Sequence, residues 1–496
     1  MPLSCLVTSK CPWAGFYPRQ PKCPLHDPSG RSLDEFNAAL NEVFSRTTRG
    51  TSIGLLNIQF PNNFRASEVQ LLWPGPIDFT DSTFENADFS AIEFESGVKF
   101  EKSIFRKQST FEEAKFKGIA SFAEAYFASG IDFSVAHFIE ETSFKGTRFE
   151  GLPLFESTQF GQKATFISAK FKMGATFDKV IFEADVNFSL AVFSGYAKFS
   201  DKVQFKKSAG FWQVEFAEAA FLNTTCAEKM DFTGAVFNGR FSYWECLQQE
   251  MLFVASRFQA GALFVGKRES LLFSDSKYVN FDETFFGQPN LVHFQHVDLS
   301  RCSLLGVDLR EIDFSLGVWR RPGRMGTWRR NVLFTIRPEK TVRAELEVAY
   351  RQIRQSFEDR RNYPQAGDFY YGEMEQRRKR SLEQGHLPLL TILYMGLSGY
   401  GQKPARALLV LLGYLVSITL LYSYLGMELS EASPYNLPNS NLNVFLYYTL
   451  PSVLLLFPTY FEPTTSHQVL ITLFSKVFVP LQVAFLVLAV KRSFKR

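Results

Sequence analysis

The 496-residue chain is poor in the residues on which disulfide scaffolds and most metalloproteins depend. It contains only 6 Cys and 6 His, and three of the cysteines lie within the first 23 residues. This scarcity excludes a disulfide scaffold for most of the chain. Charged residues make up just 21% of the chain against 46% hydrophobic residues, which excludes overall disorder. Basic residues outnumber acidic ones by only 54 to 50, so the net charge alone identifies no partner.

The motifs of common enzyme classes are also missing. None of the histidines lies in a nucleophile elbow or a metal-binding helix motif, and no glycine-rich phosphate loop occurs. His137 falls at an outward-facing position of the repeat described below, where solvent is its expected surrounding. We therefore expect no catalytic residues, no organic cofactor and no enzymatic activity.

Phenylalanine, in contrast, is in large excess, with 54 copies. Within residues 94–193 one series of Phe recurs every 11 residues, and a second series does so within residues 100–199. Interleaved, the two series give spacings that alternate between 6 and 5. Stretches with a step of 5, in Phe or Leu, flank this block at residues 79–94 and 294–314. Such internal repetition indicates a repeat architecture.

The period favours short stacked strands over a helix. The residue two before each Phe is usually small, such as Ala114 or Ala136, and in extended backbone the two side chains then share one face. On a helix, steps of 5 and 6 would place the two Phe series about 140° apart, so they would form no single stripe. An 11-residue coiled coil is thereby excluded. We predict a solenoid whose strands turn a corner after about five residues.

This spacing resembles the pentapeptide-repeat family, whose motif is A(D/N)LXX with Phe often replacing Leu. Residues 297–314 (VDLSRCSLLGVDLREIDF) match the standard form, and residues 111–127 (FEEAKFKGIASFAEAYF) resemble a variant in which alternate repeats carry an extra residue. The resemblance implies a right-handed quadrilateral β-helix with four repeats, here 22 residues, in each coil. The span Phe79–Phe314 would then hold about ten or eleven coils filled by stacked Phe rings. The aperiodic stretch 201–292 is expected to add loops or bulges.

The charge changes sign after the repeats end. Acidic and basic residues number 22 and 18 in residues 79–240, but 9 and 18 in residues 319–406. Within this basic region, residues 341–380 have apolar residues at helical spacing and predict two helices. We expect the break between them at Asn362–Gly367, because Pro364 cannot continue a helix.

Two apolar stretches, Ala407–Gly426 and Val469–Val490, are long enough to cross a bilayer. Lysines and arginines precede the first and follow the second, whereas the loop Met427–His467 contains none. By the positive-inside rule both termini are cytoplasmic, and we expect a multi-pass protein of the cell (inner) membrane. No N-terminal signal peptide is apparent, because the first apolar runs are too short.

Between the spans, Val444–Phe457 is too short to cross and fits a re-entrant segment. This layout resembles the two-span pore-loop ion channels. The glycine-containing filter loop of potassium channels is missing, since no Gly follows Gly426 and Gly399-Tyr400-Gly401 precedes the first span. The whole arrangement also resembles a group of bacterial membrane pentapeptide-repeat proteins.

Four residues are candidates for a role in a pore or in the membrane: Lys476, Glu462, Pro480 and Gln482. An ionisable residue inside a span is a functional hypothesis by default, and a ring of lysines in an oligomer would favour anions. Alternatively, Lys476 extends to the headgroups or pairs with Glu462. Pro480 and Gln482 could form a hinge, line a pore or simply pack.

The N-terminus contains Cys11, Cys23 and His26, with Cys5 as a further candidate ligand. Thiolates and imidazole suit tetrahedral zinc, and a region with little core would be stabilised by a metal. The spacing is not that of a known finger, so reduced surface thiols are the alternative.

We therefore divide the chain into an N-terminal cap region (1–70), a pentapeptide-repeat β-helix (71–318), a basic helical coupling region (319–404) and two transmembrane helices with a re-entrant segment (405–496). The leading functional hypothesis is a membrane-anchored scaffold, a homo-oligomer whose two-span region forms a channel-like pore. The alternative is a membrane-tethered module that binds a protein partner along the rod without transport. DNA-mimic binding to topoisomerases is not expected, because the rod is only mildly acidic. Nucleic acid is not expected either, because the basic stretch 319–406 lies so near a span that it more simply faces anionic lipid headgroups.

Overall fold

The computed structural model describes residues 25–26, 32–46, 51–69, 75–319, 342–425, 428–429, 440–449, 461–463 and 465–494. It contains two compact units, Met1–Pro338 and Glu339–Arg496. The first unit is a β-solenoid of about 12 turns, and the second is helical and contains both candidate membrane-spanning helices.

Helix α1 (Leu33–Arg46) precedes the solenoid and covers its first coil. Its N-terminus is closed by a reciprocal pair of hydrogen bonds, in which the Glu35 amide donates to Ser32 Oγ and the Ser32 amide donates to the Glu35 carboxylate. Phe36 on this helix packs edge-on against Phe60 and Phe64, with ring centroids 5.3 and 6.2 Å away. The first parallel pairing joins Ile53 to Ile77, so coils begin on the N-terminal side of the predicted boundary at residue 71.

The strands stack in four parallel ladders, one for each side of the coil. The first ladder contains Ile53–Gly54, Ile77–Asp78, Val98–Lys99, Ala120–Ser121, Thr142–Ser143, Ala164–Thr165, Val186–Asn187, Ala209–Gly210, Thr225–Asp231, Leu247–Leu252, Tyr278–Asn280 and Cys302–Ser303. The second contains Glu93–Phe94, Lys115–Phe116, His137–Phe138, Gln159–Phe160, Ile181–Phe182 and Gln204–Phe205, then the first residues of Thr225–Asp231 and Leu247–Leu252.

The other two ladders form the opposite sheet. The third contains Gln59–Phe60, Thr83–Phe84, Ile104–Phe105, Tyr126–Phe127, Arg148–Phe149, Lys170–Phe171, Val192–Ser200, Glu215–Leu222, Val236–Phe237, Arg257–Phe258 and Phe285–Phe286. The fourth contains Phe64–Arg65, Ala87–Asp88, Ser109–Thr110, Ile131–Asp132, Pro153–Leu154, Gly174–Asp178, Val192–Ser200, Glu215–Leu222, Arg240–Trp244, Gly261–Val265, Val292–Asp298 and Asp313–Val318. Short 3₁₀ turns lie at Ala66–Glu68, Pro289–Leu291 and Leu299–Arg301.

The interior of the coils is filled by columns of Phe rings. In one long column, which runs from Phe79 to Phe281, successive rings are 4.6–5.1 Å apart and within 13° of parallel. This separation equals the spacing of adjacent strands, so each ring stacks on the one below without bending the backbone. The pairing of Phe94 with Phe116 and of Phe116 with Phe138 confirms the 22-residue coil.

The five-residue sides contain a residue in the left-handed region, two positions after the Phe. From Lys102 to Leu190 this position recurs every 11 residues with φ between 55° and 67°. Only one of these positions is glycine, Gly146, whereas Val135 occupies an equivalent position with φ 59°. A β-branched residue there is strained, so the turn is imposed by the stacking and not by local preference.

The stack continues through the aperiodic stretch 201–292. Here Cys226 takes the ladder position of Phe205 in the coil below, and the register shifts between Cys226 and Lys229. Met251 pairs with Val279, so this coil is longer than 22 residues. The expected bulges are therefore present, and the stack of coils continues through them.

The helical unit contains α2 (Arg343–Asp359), α3 (Tyr363–Glu383), α4 (Leu389–Ser398), α5 (Pro404–Leu425), α6 (Asn441–Val444) and α7 (Ser466–Phe494). A π-helical turn, Phe445–Thr449, follows α6, and Glu428–Leu429 pairs antiparallel with Phe461–Glu462. The break between α2 and α3 is shorter than predicted. Pro364 lies in the first turn of α3, where its missing amide proton is not needed.

Candidate functional site

The candidate membrane-spanning helices α5 and α7 present most of their apolar side chains to the outside of the unit. Only 28% of the most apolar window of α5 and 17% of that of α7 is buried. The core helix of a water-soluble protein would bury most of such a surface. By length and composition both helices could therefore cross a membrane.

Polar side chains join α5 to α7 within this apolar surface. The hydroxyl groups of Tyr414 and Ser475 lie 2.7 Å apart, and those of Tyr422 and Thr472 lie 3.0 Å apart. Around these hydrogen bonds Leu411, Leu415 and Val479 form a buried apolar cluster.

Gln482, one of the predicted candidates, is fully buried and joins three helices. Its Nε2 donates to the Ala407 carbonyl of α5 at 2.9 Å and to the Leu397 carbonyl of α4 at 3.1 Å. Its Oε1 has no hydrogen-bond partner among the described residues. Leu397 lies in the last turn of α4, where helix carbonyls lack an intrahelical donor, so Gln482 supplies one. Gln482 is therefore placed to fix helix packing.

The other candidates are not brought together with Gln482. Lys476 and Pro480 are both exposed on α7. Pro480 lies inside the helix and leaves the Lys476 carbonyl without its usual amide donor. The backbone of Glu462 pairs with Glu428, but its side chain lies outside the described residues, so the predicted ion pair of Lys476 with Glu462 stays a prediction.

The segment before α7 reaches deep between the spans. Val444 is buried against Ile418 and Tyr422 of α5, and Phe445 packs against the cluster that contains Leu411 and Leu415. Leu415 is the twelfth residue of the 22-residue helix α5, so Phe445 lies near mid-depth of that helix. This position is the one that a re-entrant segment would take. The remainder of the predicted segment, residues 450–457, lies outside the described residues.

Helices α2 and α3 form a hairpin held by buried carboxylates. Glu347 and Glu373 are each 5% exposed, and Arg351 bridges them with N–O distances of 3.0 and 2.9 Å. Further arginines complete the network: Arg354 contacts Glu373, and Arg377 and Arg380 contact Glu347. Breaking one member would leave an unpaired buried charge, so the hairpin should be rigid.

The turn between α4 and α5 contains the Gly399-Tyr400-Gly401 sequence. Its residues all have positive φ, and the Gly401 amide donates to Ser398 Oγ. The Tyr400 hydroxyl donates to Glu375 on α3. Burial and the neighbouring Glu375 carboxylate raise the pKa of Tyr400. The turn therefore caps α4 and connects it to the hairpin through the Tyr400–Glu375 hydrogen bond.

A feature that the sequence did not indicate lies beside this turn. Arg492, at the end of α7, donates to the Tyr400 carbonyl at 3.2 Å and lies 5.0 Å from the centre of the Tyr370 ring. Arg354 lies 5.8 Å from the same ring. The two arginines line one cleft, of about 410 Å³. The signal for this feature in the sequence was the cluster of aromatic residues in Phe369–Tyr371, but the cluster did not indicate which arginines would contact it.

The predicted zinc ligands lie almost entirely outside the described residues. Of Cys5, Cys11, Cys23 and His26, only His26 is described. It is buried, and its Nε2 donates to the Leu56 carbonyl at 2.9 Å, so a metal on this ring would have to bind through Nδ1. Within the described part of the chain no group of three His, Cys, Asp or Glu side chains could hold a metal ion. The zinc site stays a prediction.

Comparison with known families supports the repeat. Residues 111–157 match the profile of Pentapeptide repeats (9 copies). The match lies in the most regular part of the solenoid. A search of curated proteins gave no match to this chain.

Proposed function

We propose that this protein is a membrane-anchored pentapeptide-repeat scaffold, with the solenoid at the cytoplasmic face of the cell (inner) membrane. The observation that carries the proposal is the exposed apolar surface of α5 and α7, each long enough to cross the hydrocarbon core. A bilayer covers such a surface without any partner protein.

The basic residues support the orientation. Lys403 and Arg406 flank the start of α5, and Lys491 and Arg492 lie at the end of α7. The loop between the helices contains no Lys or Arg. This asymmetry favours both termini on the cytoplasmic side.

Flotation with liposomes tests the anchor. The purified protein should float with the vesicles and stay with them after washing at alkaline pH. Charges at three exposed positions of α5, in the combined variant Leu409→Glu, Leu412→Glu and Val416→Glu, should abolish insertion, since each charge costs about 2.5–3.5 kcal/mol in the hydrocarbon. The matched control places glutamates at Ile119, Ile139 and Met173, which are exposed on the solenoid. Wild-type protein that stays in solution, without detergent, would contradict the anchor.

A second candidate function is an oligomeric, channel-like pore. It is favoured by the position of Phe445 near mid-depth of α5, which matches the layout of a re-entrant pore segment. In such an oligomer the apolar faces of α5 and α7 would be shared between lipid and neighbouring protomers. Lys476 would then lie on a face available to a central pathway.

The position of Lys476 is also compatible with a membrane anchor that forms no pore. It lies about 15 residues before Lys491, which is about 22 Å along a helix. In a hydrocarbon core of ~30 Å it would lie within reach of the outer headgroups by snorkelling. Lys476 alone therefore does not require a pore.

Planar-bilayer recording separates the two cases. A pore predicts conductance whose ion preference changes in Lys476→Glu, whereas Lys202→Glu on the solenoid should behave as wild type. Silence of the wild-type protein, together with a monomeric particle in nanodiscs, would leave the tethered scaffold that binds a protein along its rod.

A further inference from the structure

The cleft beside the end of α7 is a candidate ligand site. It has a volume of about 410 Å³ and is lined chiefly by Arg354, Glu358, Asp359, Tyr370, Gln402 and Arg492. This volume falls within the ~300–1,000 Å³ range of small-molecule pockets. All of these residues belong to the helical unit, and α2, α3, the α4–α5 turn and α7 each contribute to the wall.

Arg492 is a cationic residue in the wall of the cleft. Its guanidinium is held by the Tyr400 carbonyl and the Tyr370 ring, and it makes no ion pair with a carboxylate among the described residues. Arg354, by contrast, is already neutralised by Glu358 and Glu373 at 2.9–3.0 Å. A guanidinium has five donors in a fixed fork, so Arg492 retains donors for an oxyanion such as a phosphate.

The wall of the cleft also contains acidic residues. Glu358 and Asp359 are the last two residues of α2, where the helix dipole adds partial negative charge. Asp359 is exposed and forms no ion pair within the described residues. The wall of the cleft therefore offers one group for a cation, the Asp359 carboxylate, and one group for an anion, the Arg492 guanidinium.

We propose that this cleft binds a phosphoethanolamine group, with the phosphate on Arg492 and the primary ammonium on Asp359. This inference rests on the proposed membrane anchoring only for its natural source, a phospholipid headgroup. Arg492 ends the second candidate span, which puts it at the headgroup level of the proposed anchor, where the phosphates of lipids lie.

Other headgroups fit the cleft less well. A purely anionic headgroup would leave the Asp359 carboxylate of α2 without a compensating positive charge. A choline group prefers a cage of aromatic faces and cannot donate hydrogen bonds. Here Tyr370 is already in contact with two guanidinium groups, and Tyr363 is the other aromatic residue on the described wall. A primary ammonium, which donates to carboxylates, matches the side chains present.

Native mass spectrometry of the full-length protein in detergent tests the proposal with short-chain lipids. At equal concentration, phosphatidylethanolamine should be retained about tenfold better than phosphatidylcholine or phosphatidylglycerol, the factor that corresponds to one charged hydrogen bond. Arg492→Gln and Asp359→Asn should each remove this preference. Lys491→Gln is the matched control, because it removes the same charge from the adjacent residue outside the cleft wall.

The possible outcomes distinguish a membrane lipid from a soluble ligand, and they test the cleft separately from the membrane anchor. Competition by free O-phosphoethanolamine at the same concentration as the lipid would support the site and assign it to a soluble ligand, whereas retention of the lipid alone would assign it to the membrane. Equal retention of all three lipids, or a preference for phosphatidylglycerol that survives Asp359→Asn, would overturn the proposal. The same variants should still float with liposomes. Failure of the wild type to float would count against the anchor, and lack of lipid preference in a floating protein would count only against the cleft.

Discussion

The stacked Phe column makes a quantitative prediction about the stability of the solenoid. Phe144 is fully buried in the middle of the column from Phe79 to Phe281, with Phe122 and Phe166 stacked on it at 5.0 and 4.9 Å. Truncation to Ala removes the ring and leaves a cavity, which costs about 3–5 kcal/mol in a close-packed core. Since two stacked pairs are lost, each worth about 0.5–1.5 kcal/mol beyond burial, we expect a cost near the top of that range. Phe144→Leu keeps most of the volume, so it should cost only about 2 kcal/mol.

Tryptophan fluorescence during guanidinium unfolding is the appropriate assay. All 6 Trp precede residue 329, so the signal reports on the solenoid unit and not on the helical unit. Ile119→Ala provides the control, because Ile119 lies on the outer surface of the same solenoid with 57% of its surface exposed. We expect this control to change the free energy of unfolding by about 0.5 kcal/mol.

The result that would refute the reasoning is a small difference between core and surface. If Phe144→Ala cost no more than the Ile119 control, the column would not be close-packed and the Phe period would not be the source of stability. If Phe144→Ala and Phe144→Leu cost the same, the geometry of stacking would contribute nothing beyond volume.

Three further predictions concern turns, thiols and helix packing. Val135→Asn should stabilise the solenoid by about 1 kcal/mol, because Asn tolerates positive φ. Gly146→Val at the equivalent turn should destabilise it by about 1–2 kcal/mol. Both changes are measured by guanidinium unfolding. Burial raises the pKa of both Cys226 and Cys246 from 9.0 to about 11. Neither thiol should therefore react with a thiol reagent at pH 8 in the native state. The free energy of unfolding that these protonated thiols contribute should be fully present below pH 9 and should be lost as the pH rises to about 11. Gln482→Leu should remove two interhelical hydrogen bonds and destabilise the helical unit by about 1–3 kcal/mol, measured by circular dichroism during titration with a denaturing detergent.

The periodic elements were predictable from the sequence because each repeat carries the same local signal. The alternating 5 and 6 steps predicted the 22-residue coil, and the pairing of Phe94 with Phe116 confirms it. The positions of α5 and α7 followed from their apolar runs, although α7 has 29 residues and extends beyond the predicted run at both ends. Where the signal was weak, the prediction was incomplete. The coil that begins at Ile53 has Ile, Leu and Phe at irregular steps, so the period did not indicate it. In the stretch 201–292, Cys226 pairs with Phe205 and Met230 pairs with Ala209, so the period showed that irregularities occur there but not which residues continue the ladders.

The candidate site, in contrast to the solenoid, was only partly predictable from the sequence. Lys476 was singled out because a charge in an apolar run is visible in the sequence, yet it is merely exposed on α7. Gln482 was named among the candidates, but its partners Ala407 and Leu397 were not, since they lie 75 and 85 residues away in the chain. The short helix α4 was also missed, because its 10 residues are too few to span a bilayer.

The sequence by itself determined where the solenoid repeats, how long a coil is and which helices are apolar enough for a bilayer, since these properties depend on neighbours a few residues apart. Only the tertiary structure decided that Phe445 lies beside the middle of α5 and that Arg492 and Asp359 line one cleft. Such contacts join single residues that are far apart in the chain, and a single residue has no period from which its partner could be predicted.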